Sequence, residues 1–327
     1  MIYYVIILKT NYNNRMNLNV KSIHSIHHHY GWDNKNNPIE HIEDDEVIVI
    51  DTVDSSGGQL NTNSNVKDIA NLDFSKVNPV TGPLYIQNAL PGDVLEIQII
   101  DFETSGWGWT ANIPGFGLLS DQFKEEAINI WKYDQHNPSS SLFSNFAKIP
   151  LKPFVGTIGL APQEDGILSV VPPRNFGGNL DIKEVHKGTK IYLPIQVKGA
   201  LLSLGDTHAA QGDGEVCGTA IESPMKVSIK TKLHKNYNIK SPFIETNHNI
   251  IDNMNIGSFI TTGIGEDLFI SARESVMRMI DHLTKKIKIT DVEAYMLCSV
   301  AGNLKISEIV DQPNWVVSFE ISKSVFN

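Results

Sequence analysis

Short stretches in which apolar and polar residues alternate recur along most of the chain. Glu46–Val53, Val94–Ile100, Lys190–Val197 and Met225–Ile229 are four of them. A period of two puts one apolar face toward a core and one polar face toward water, so each predicts a half-buried antiparallel strand. Turn residues such as Pro91-Gly92-Asp93 separate these runs. The period changes near the C-terminus. From Glu266 to Lys286 the apolar residues Leu268, Ala272, Val276, Met279, Ile280 and Leu283 fall three or four apart, which predicts a helix. Thr290-Asp291-Val292-Glu293 reads as a capping box, with a second helix of about 11 residues ending near Gly302. Trp315–Ile321 reads as a closing strand. The pattern predicts a mainly β chain with a C-terminal helical pair.

With 327 residues, the length suits one large domain or two. No fixed-period repeat appears, and the softest division is the polar loop near 132–150. Net charge is −10, from 27 Lys and Arg against 37 Asp and Glu. That balance excludes nucleic acid and anionic membrane surfaces as main partners, because both require clustered cations. Two cysteines exclude a disulfide scaffold and a four-thiolate zinc module. No apolar run approaches the roughly 18 residues that span a bilayer. The opening Met1–Leu8 run lacks the basic flank and small-residue cleavage site of a signal peptide. The expectation is a cytoplasmic protein with free thiols at Cys217 and Cys298, and Met16 as an alternative start.

Candidate chemistry concentrates in Leu204–Glu215, a glycine-rich stretch holding Asp206, His208, Asp213 and Glu215, read as a loop between strands. On a strand, Asp206 and His208 would share a face. A second acidic cluster is Asp51–Gln59, and a third polar loop is Pro172–Asp181, in which Arg174 either anchors a carboxylate or structures the loop. Trp107 and Trp109 sit on glycine turns, where core packing or subunit contact is the plainer reading. His24, His27, His28 and His29 read as a polar loop, with His28 or His29 kept as a metal ligand in reserve.

Several separated motifs then fall in one recognisable order: Asp54–Gln59, Gly82–Tyr85, Pro91–Asp93, Gly156–Gly159, Pro172–Asp181, Gly205–Glu222, Ala294–Ser299 and Ile306–Trp315. Together they resemble the acetamidase/formamidase family over roughly residues 38–321. Residues 31–327 then form the catalytic unit, and 1–30 a variable N-terminal extension. The resemblance implies a jelly-roll-like β-sandwich with added α/β elements and a divalent metal, zinc favoured and calcium possible. It also implies a homodimer or higher homo-oligomer, and hydrolysis of short amides such as formamide and acetamide. Some relatives open γ-lactams, and a non-catalytic jelly roll binding a small ligand or calcium is the alternative from another class.

Carried over residue by residue, the resemblance gives His208, Asp54 and Asp206 as metal ligands, with Asp51 as a further candidate. Glu222, Glu215 and Asp213 are the candidates for proton transfer. Gln59, Asn179, Gln211 and Trp109 are the candidates for substrate contact. The set is chemically sensible: an amide is a poor electrophile, and a metal with an open position can activate water and stabilise the oxyanion. Which acid binds metal and which moves protons is open at this level. Cys217 is the rival, as a thioester-forming nucleophile, although Val216–Ile221 reads as a buried strand.

Overall fold

The computed structural model describes residues 20–247 and 257–326. Met1–Leu8 and Met16 lie outside them. The alternating segments pair into two large sheets. A nine-stranded sheet runs in the order Lys21–Ile23, Val47–Asp51, Met225–His234, Val94–Thr104, Lys190–Pro194, Phe243–Glu245, Ser258–Gly265, Trp315–Ser322 and Gly302–Glu308. A second sheet places Leu202–His208 between Phe154–Gly159 and Val80–Ile86, with Gly177–Asn179 and His28–His29 at its edges and Glu40–Ile42 alongside Val80–Ile86. One core fills the space between them. Ile48, Ile97, Ile191 and Val227 project from the larger sheet, and Leu84, Val155, Ile158 and Leu204 from the smaller. The chain is therefore mainly β, with its apolar alternation turned inward from both layers.

The helical pair covers the far end of the larger sheet. Leu268–Ile287 is capped by Asp267 and ends on Lys288 in the left-handed region, at φ 60°. Asp291–Ala301 is 11 residues long and carries the capping box Thr290–Glu293. Met279, Ile280, Leu283, Ala294 and Cys298 pack on Phe259, Phe319 and Ile321. Within the segment assigned to the N-terminal extension, Lys21–Ile23 pairs in parallel with Val47–Asp51, and His28–His29 pairs with Val80–Ile86. The polar stretch 132–150 holds a small antiparallel hairpin, Ser140–Phe143 with Ala147–Pro150.

One local departure from the sequence reading matters most. Leu204–Glu215 is a loop only in its second half, since Leu202–His208 is a fully buried central strand. Its glycine has a packing reason. A Cβ on Gly205 would lie 2.2 Å from the Pro79 carbonyl oxygen, so only glycine lets the neighbouring chain approach.

Candidate active site

The central strand delivers His208 and Asp206 to one end of the smaller sheet. Asp206 bends the strand locally, at φ 50°. Asp181 (φ 46°) and Glu215 (φ 46°) also occupy the left-handed region. Three acids held in a sparsely populated backbone region mark a site where the fold over-determines the geometry. Gly156 leaves the space: a Cβ there would lie 2.5 Å from Asp181 Oδ1 and 2.8 Å from Asp206 Oδ2.

His208 is fixed on both sides of its ring. The Phe154 ring meets it edge-on at 5.0 Å. Nδ1 lies 2.8 Å from Gln211 Oε1, while Gln211 Nε2 donates to the Asp181 carbonyl at 2.9 Å. That second bond sets the amide orientation, so Gln211 offers an acceptor and Nδ1 carries the proton. Nε2 then faces Asp206 Oδ1 at 2.9 Å and Glu222 Oε2 at 3.1 Å. A neutral imidazole would point a lone pair at two carboxylates. Burial opposes a charge on His208, but Glu222 and Asp206 outweigh it and push its pKa well above the ordinary value.

Most of the surrounding acids are raised too, which favours their neutral form where it favours the charged form of His208. Burial, followed by the charge of Asp206, raises Asp181 well above the carboxylate range. Burial and Asp181 raise Glu215 in the same way, and burial and Glu308 raise Asp311. Burial alone pushes Glu308 up to about 7. Burial also raises Glu222. Asp206 is the exception, since burial acts against it but His208 holds it low. Both oxygens of Asp181 are buried without a hydrogen-bond partner, as is Glu308 Oε2. An orphaned buried carboxylate is costly unless a cation meets it.

Three overlapping groups place their donor atoms within 4.8 Å of one another: Asp181–Asp206–His208, His208–Glu215–Glu222 and Asp181–Glu215–Asp311. The donor set, the orphaned oxygens and the space that Gly156 leaves all fit a divalent cation. Asp206, Glu215, Glu222, Asp311 and Asn179 line the floor of a cavity of about 220 Å³ that opens to solvent.

The other expected residues surround this chamber in different roles. Asp54 is buried, but its Oδ1 accepts from the Ser56 amide at 3.0 Å, the Ser56 hydroxyl and Trp109 Nε1 at 2.9 Å. It anchors a turn and the Trp109 ring, and is not in the three donor groups. Asp51 ends its strand and accepts from Ser25 Oγ at 3.2 Å, outside the chamber. Asp213 is exposed and pairs with Lys183 at 2.6 Å. Gln59 bonds the Ser56 carbonyl and both backbone groups of Asp73, which ties two loops together. Asn179 donates to Asp311 and accepts from Asn78 and Thr157, so it orients an acid of the chamber. Cys217 donates to the Thr219 carbonyl and lines a separate cavity that shares Glu215 with the chamber. His28 bonds Ser25 and Tyr30, and His29 bonds Ser203, so both are structural. Arg174 donates to the Pro172 carbonyl and structures its own loop.

Asp181, Glu308, Asp311 and Ser55 received no site role from the sequence. Asp181 and Asp311 stood inside recognised motifs, yet what brings them together is the pairing of distant segments. Ser55 Oγ donates to Glu222 Oε2 at 2.7 Å.

Comparison with known proteins gives the family. The model of the acetamidase/formamidase family matches residues 16–170 and 164–327. The chain belongs to the acetamidase/formamidase family. It is similar to a formamidase of Methylophilus methylotrophus, 28% identical over 85% of this chain and 84% of that protein. The crystal structure of an acetamidase from Bacillus halodurans is 30% identical, covers 93% of this chain and 98% of its own, and superposes with a TM-score of 0.84. A γ-lactamase from Delftia acidovorans, 24% identical over 92% of this chain and 90% of its own, shares the fold alone, with a TM-score of 0.65.

Proposed function

We propose that the carboxylate–histidine chamber hydrolyses short-chain amides such as formamide and acetamide to ammonia and the carboxylate, with a bound divalent cation. Family membership makes the chain an amidase, a hydrolase of carbon–nitrogen bonds other than peptide bonds. The observation that carries the cation is the buried Asp181 carboxylate, with both oxygens unpartnered beside a histidine Nε2 that faces two further acids.

His208, Glu222, Glu215, Asp206, Asp181 and Asp311 are the residues that would hold it. A set containing an imidazole suits zinc, whereas Asp181–Glu215–Asp311 offers only oxygen and suits calcium. Such a cation supplies an acidified water and polarises the amide carbonyl. The chain's residues supply the rest. Gln211 holds the His208 tautomer that leaves Nε2 free, a role that outer partners of ligating histidines commonly play. Glu222 is locked by the Ala220 amide at 2.7 Å and by Ser55, so it is suited to hold rather than to shuttle. Glu215 lines the cavity, where it would either join the ligands or carry the proton from the attacking water to the departing ammonia. Asn179 keeps Asp311 in place, and Trp109 closes one side.

The homo-oligomer belongs to the same reading. The helix Asp291–Ala301 leaves Val292, Tyr295, Met296 and Val300 exposed on one face, and a helix apolar on all sides is normally covered. Among the described residues no helix is long and apolar enough to cross a membrane.

The test is ammonia release from formamide, acetamide and a γ-lactam before and after chelation, with elemental analysis of the same sample. Turnover lost with the metal and restored by its return is the expected result. Turnover that survives complete metal removal would sink the cation, and would move attention to Cys217. Bound metal without turnover of any amide would favour a binding protein.

A further inference from the structure

The lining of the cavity is of two kinds. Beside the acids stands an apolar wall of Leu72, Phe74, Val77, Ile113, Phe116 and Val171, of which Leu72, Ile113 and Phe116 belong to the cluster around Trp109 and Val171 to the one around Trp32. These come from separate places. Leu72–Val77 is the turn around the short helical segment Phe74–Lys76, Ile113–Phe116 follows the strand Trp107–Asn112, and Val171 follows Leu168–Ser169. No single amphipathic element produces such a wall as a by-product. Nor is it only spare core. Phe74 is 57% exposed and Phe116 is half-buried, so both rings stand at the rim.

The wall is also held in place. Gln59 bonds both backbone groups of Asp73, which fixes the turn carrying Leu72 and Phe74. Gly218 sits under the Phe116 ring, and a Cβ there would lie 2.4 Å from Phe116 Cδ1. Trp109 is pinned through Nε1 to Asp54. Contacts that set an apolar surface rigidly beside reactive carboxylates are the means by which a pocket selects the non-reacting part of a substrate.

The size is informative. A volume of about 220 Å³ equals roughly seven water-sized volumes of about 30 Å³. A cation and its water take part of that space. Formamide, with hydrogen on its carbonyl carbon, would leave the wall against water. Acetamide would cover little of it. We infer that the wall is an acyl pocket, and that the preferred substrates are unbranched primary amides of the size of butanamide and pentanamide rather than formamide or acetamide. The inference rests on the reading of the chamber as the site of amide hydrolysis.

The experiment uses the full, metal-replete chain and measures kcat/KM for acetamide, propanamide, butanamide, pentanamide and hexanamide. The alkyl series is the proper comparison, because the formamide carbonyl is intrinsically more electrophilic. Each methylene that becomes buried strengthens binding about fourfold, so kcat/KM should rise about fifteenfold from acetamide to butanamide, which adds two. The rise should appear in KM, since the wall touches the acyl group equally in ground and transition states. It should level off after pentanamide. A flat or falling series with acetamide still turned over would overturn the acyl pocket and leave the amidase reading standing. No ammonia from any amide would overturn both.

Two variants locate the effect. Leu72→Trp fills the pocket and should pull the butanamide-to-acetamide ratio down toward unity. Phe116→Ala opens the rim and should move the maximum to hexanamide. If Leu72→Trp does not fold, Val171→Phe narrows the same space from the opposite loop. Ratios unchanged in folded variants would overturn the assignment of the wall.

Discussion

Two clusters of acids, one half-buried and one buried, lie in this molecule, and they are built on opposite rules. In one, Lys305 reaches Glu184 at 2.6 Å and Glu320 at 3.0 Å, with side chains only 14–25% exposed. The cation comes with the chain, and both glutamates lift Lys305 above the ordinary lysine value against the pull of burial. In the other, Asp181, Asp206, Glu215, Glu222, Glu308 and Asp311 share a single imidazole. Lys305 closes its cluster as a structural joint. The chamber is left short of positive charge: both oxygens of Asp181 are buried without a hydrogen-bond partner, and its contact with His208 Nδ1 is 3.9 Å long. A fold that places a lysine against two glutamates in one location and leaves it out of the other fits the proposal that the chamber receives a cation.

The sharpest way to break this contrast is His208→Ala. It removes the only nitrogen donor of the three donor groups. Bound cation and turnover should be lost together, with kcat/KM falling at least about a thousandfold, roughly 4 kcal/mol. Elemental analysis and ammonia release on the same sample give the readout. An active, metal-replete variant would remove His208 from the ligand set.

Lys305→Met tests the other cluster. Leaving two buried glutamates without their cation costs about 3–5 kcal/mol when burial is complete. The residual exposure brings the expected loss to about 2 kcal/mol, measured by urea unfolding of the metal-replete protein. Metal content should not change. A variant that also lost its cation would show that the clusters are coupled, and would erase the distinction drawn between them.

Asp181→Asn should act differently on the two forms of the protein. In the metal-free form Asp181 already holds its proton, so the neutral amide should change stability little. In the metal-loaded form it removes a donor, so the stabilisation that the cation confers should shrink. Thermal unfolding with and without chelator separates the two. Destabilisation of both forms would mean that Asp181 supports the fold rather than the cation.

The contrast also explains which parts of the molecule could be read from the sequence. Periodicity and caps are local: the helical pair came out at nearly its true ends, and the strands at Val94 and Met225 at their true starts, though they run on to Thr104 and His234. The capping box at Thr290 places the helix Asp291–Ala301 correctly, because the hydrogen bonds that define it lie within four residues. The central strand Leu202–His208 was half missed, since buried on both faces it shows no alternation. Motif order was enough to find the family and to single out His208, Asp206, Glu215 and Glu222, which the structure brings into one cluster. It could not tell Asp54, whose oxygen is taken by Ser56 and Trp109, from Asp181, whose oxygens are bare. That difference depends on which distant segments meet. Glu308 left still less trace, because an acid on an edge strand reads as a solvated residue until the fold buries it.

The smallest expected effect is a pH dependence, and its sign follows from both sets of shifted groups. Asp181, Glu215 and Asp311 have native pKa values raised above those of the unfolded chain, and Glu308 reaches about 7. Without a cation, the native state keeps these protons where the unfolded chain has released them. That contribution is complete below about pH 4 and is lost as pH rises through the native values. His29, His186 and His282 act in the other direction. Burial lowers each to about 4, so their contribution is present above about 6.5 and is lost as pH falls toward 4. The two terms oppose each other between about pH 4 and about 6.5; above that window the histidine term is complete and the acids, with His208 raised as well, make the metal-free protein lose stability as pH rises. A bound cation holds the carboxylates ionised and removes the first term, and protons compete with it as pH falls. The increment in Tm on adding metal should therefore shrink steadily from pH 7.5 to pH 5. In the Lys305 cluster the lysine stays charged throughout that range, so Lys305→Met should cost the same at either pH. An increment independent of pH would mean that the cation meets groups already ionised in the free protein, and the chamber would then resemble the Lys305 cluster after all.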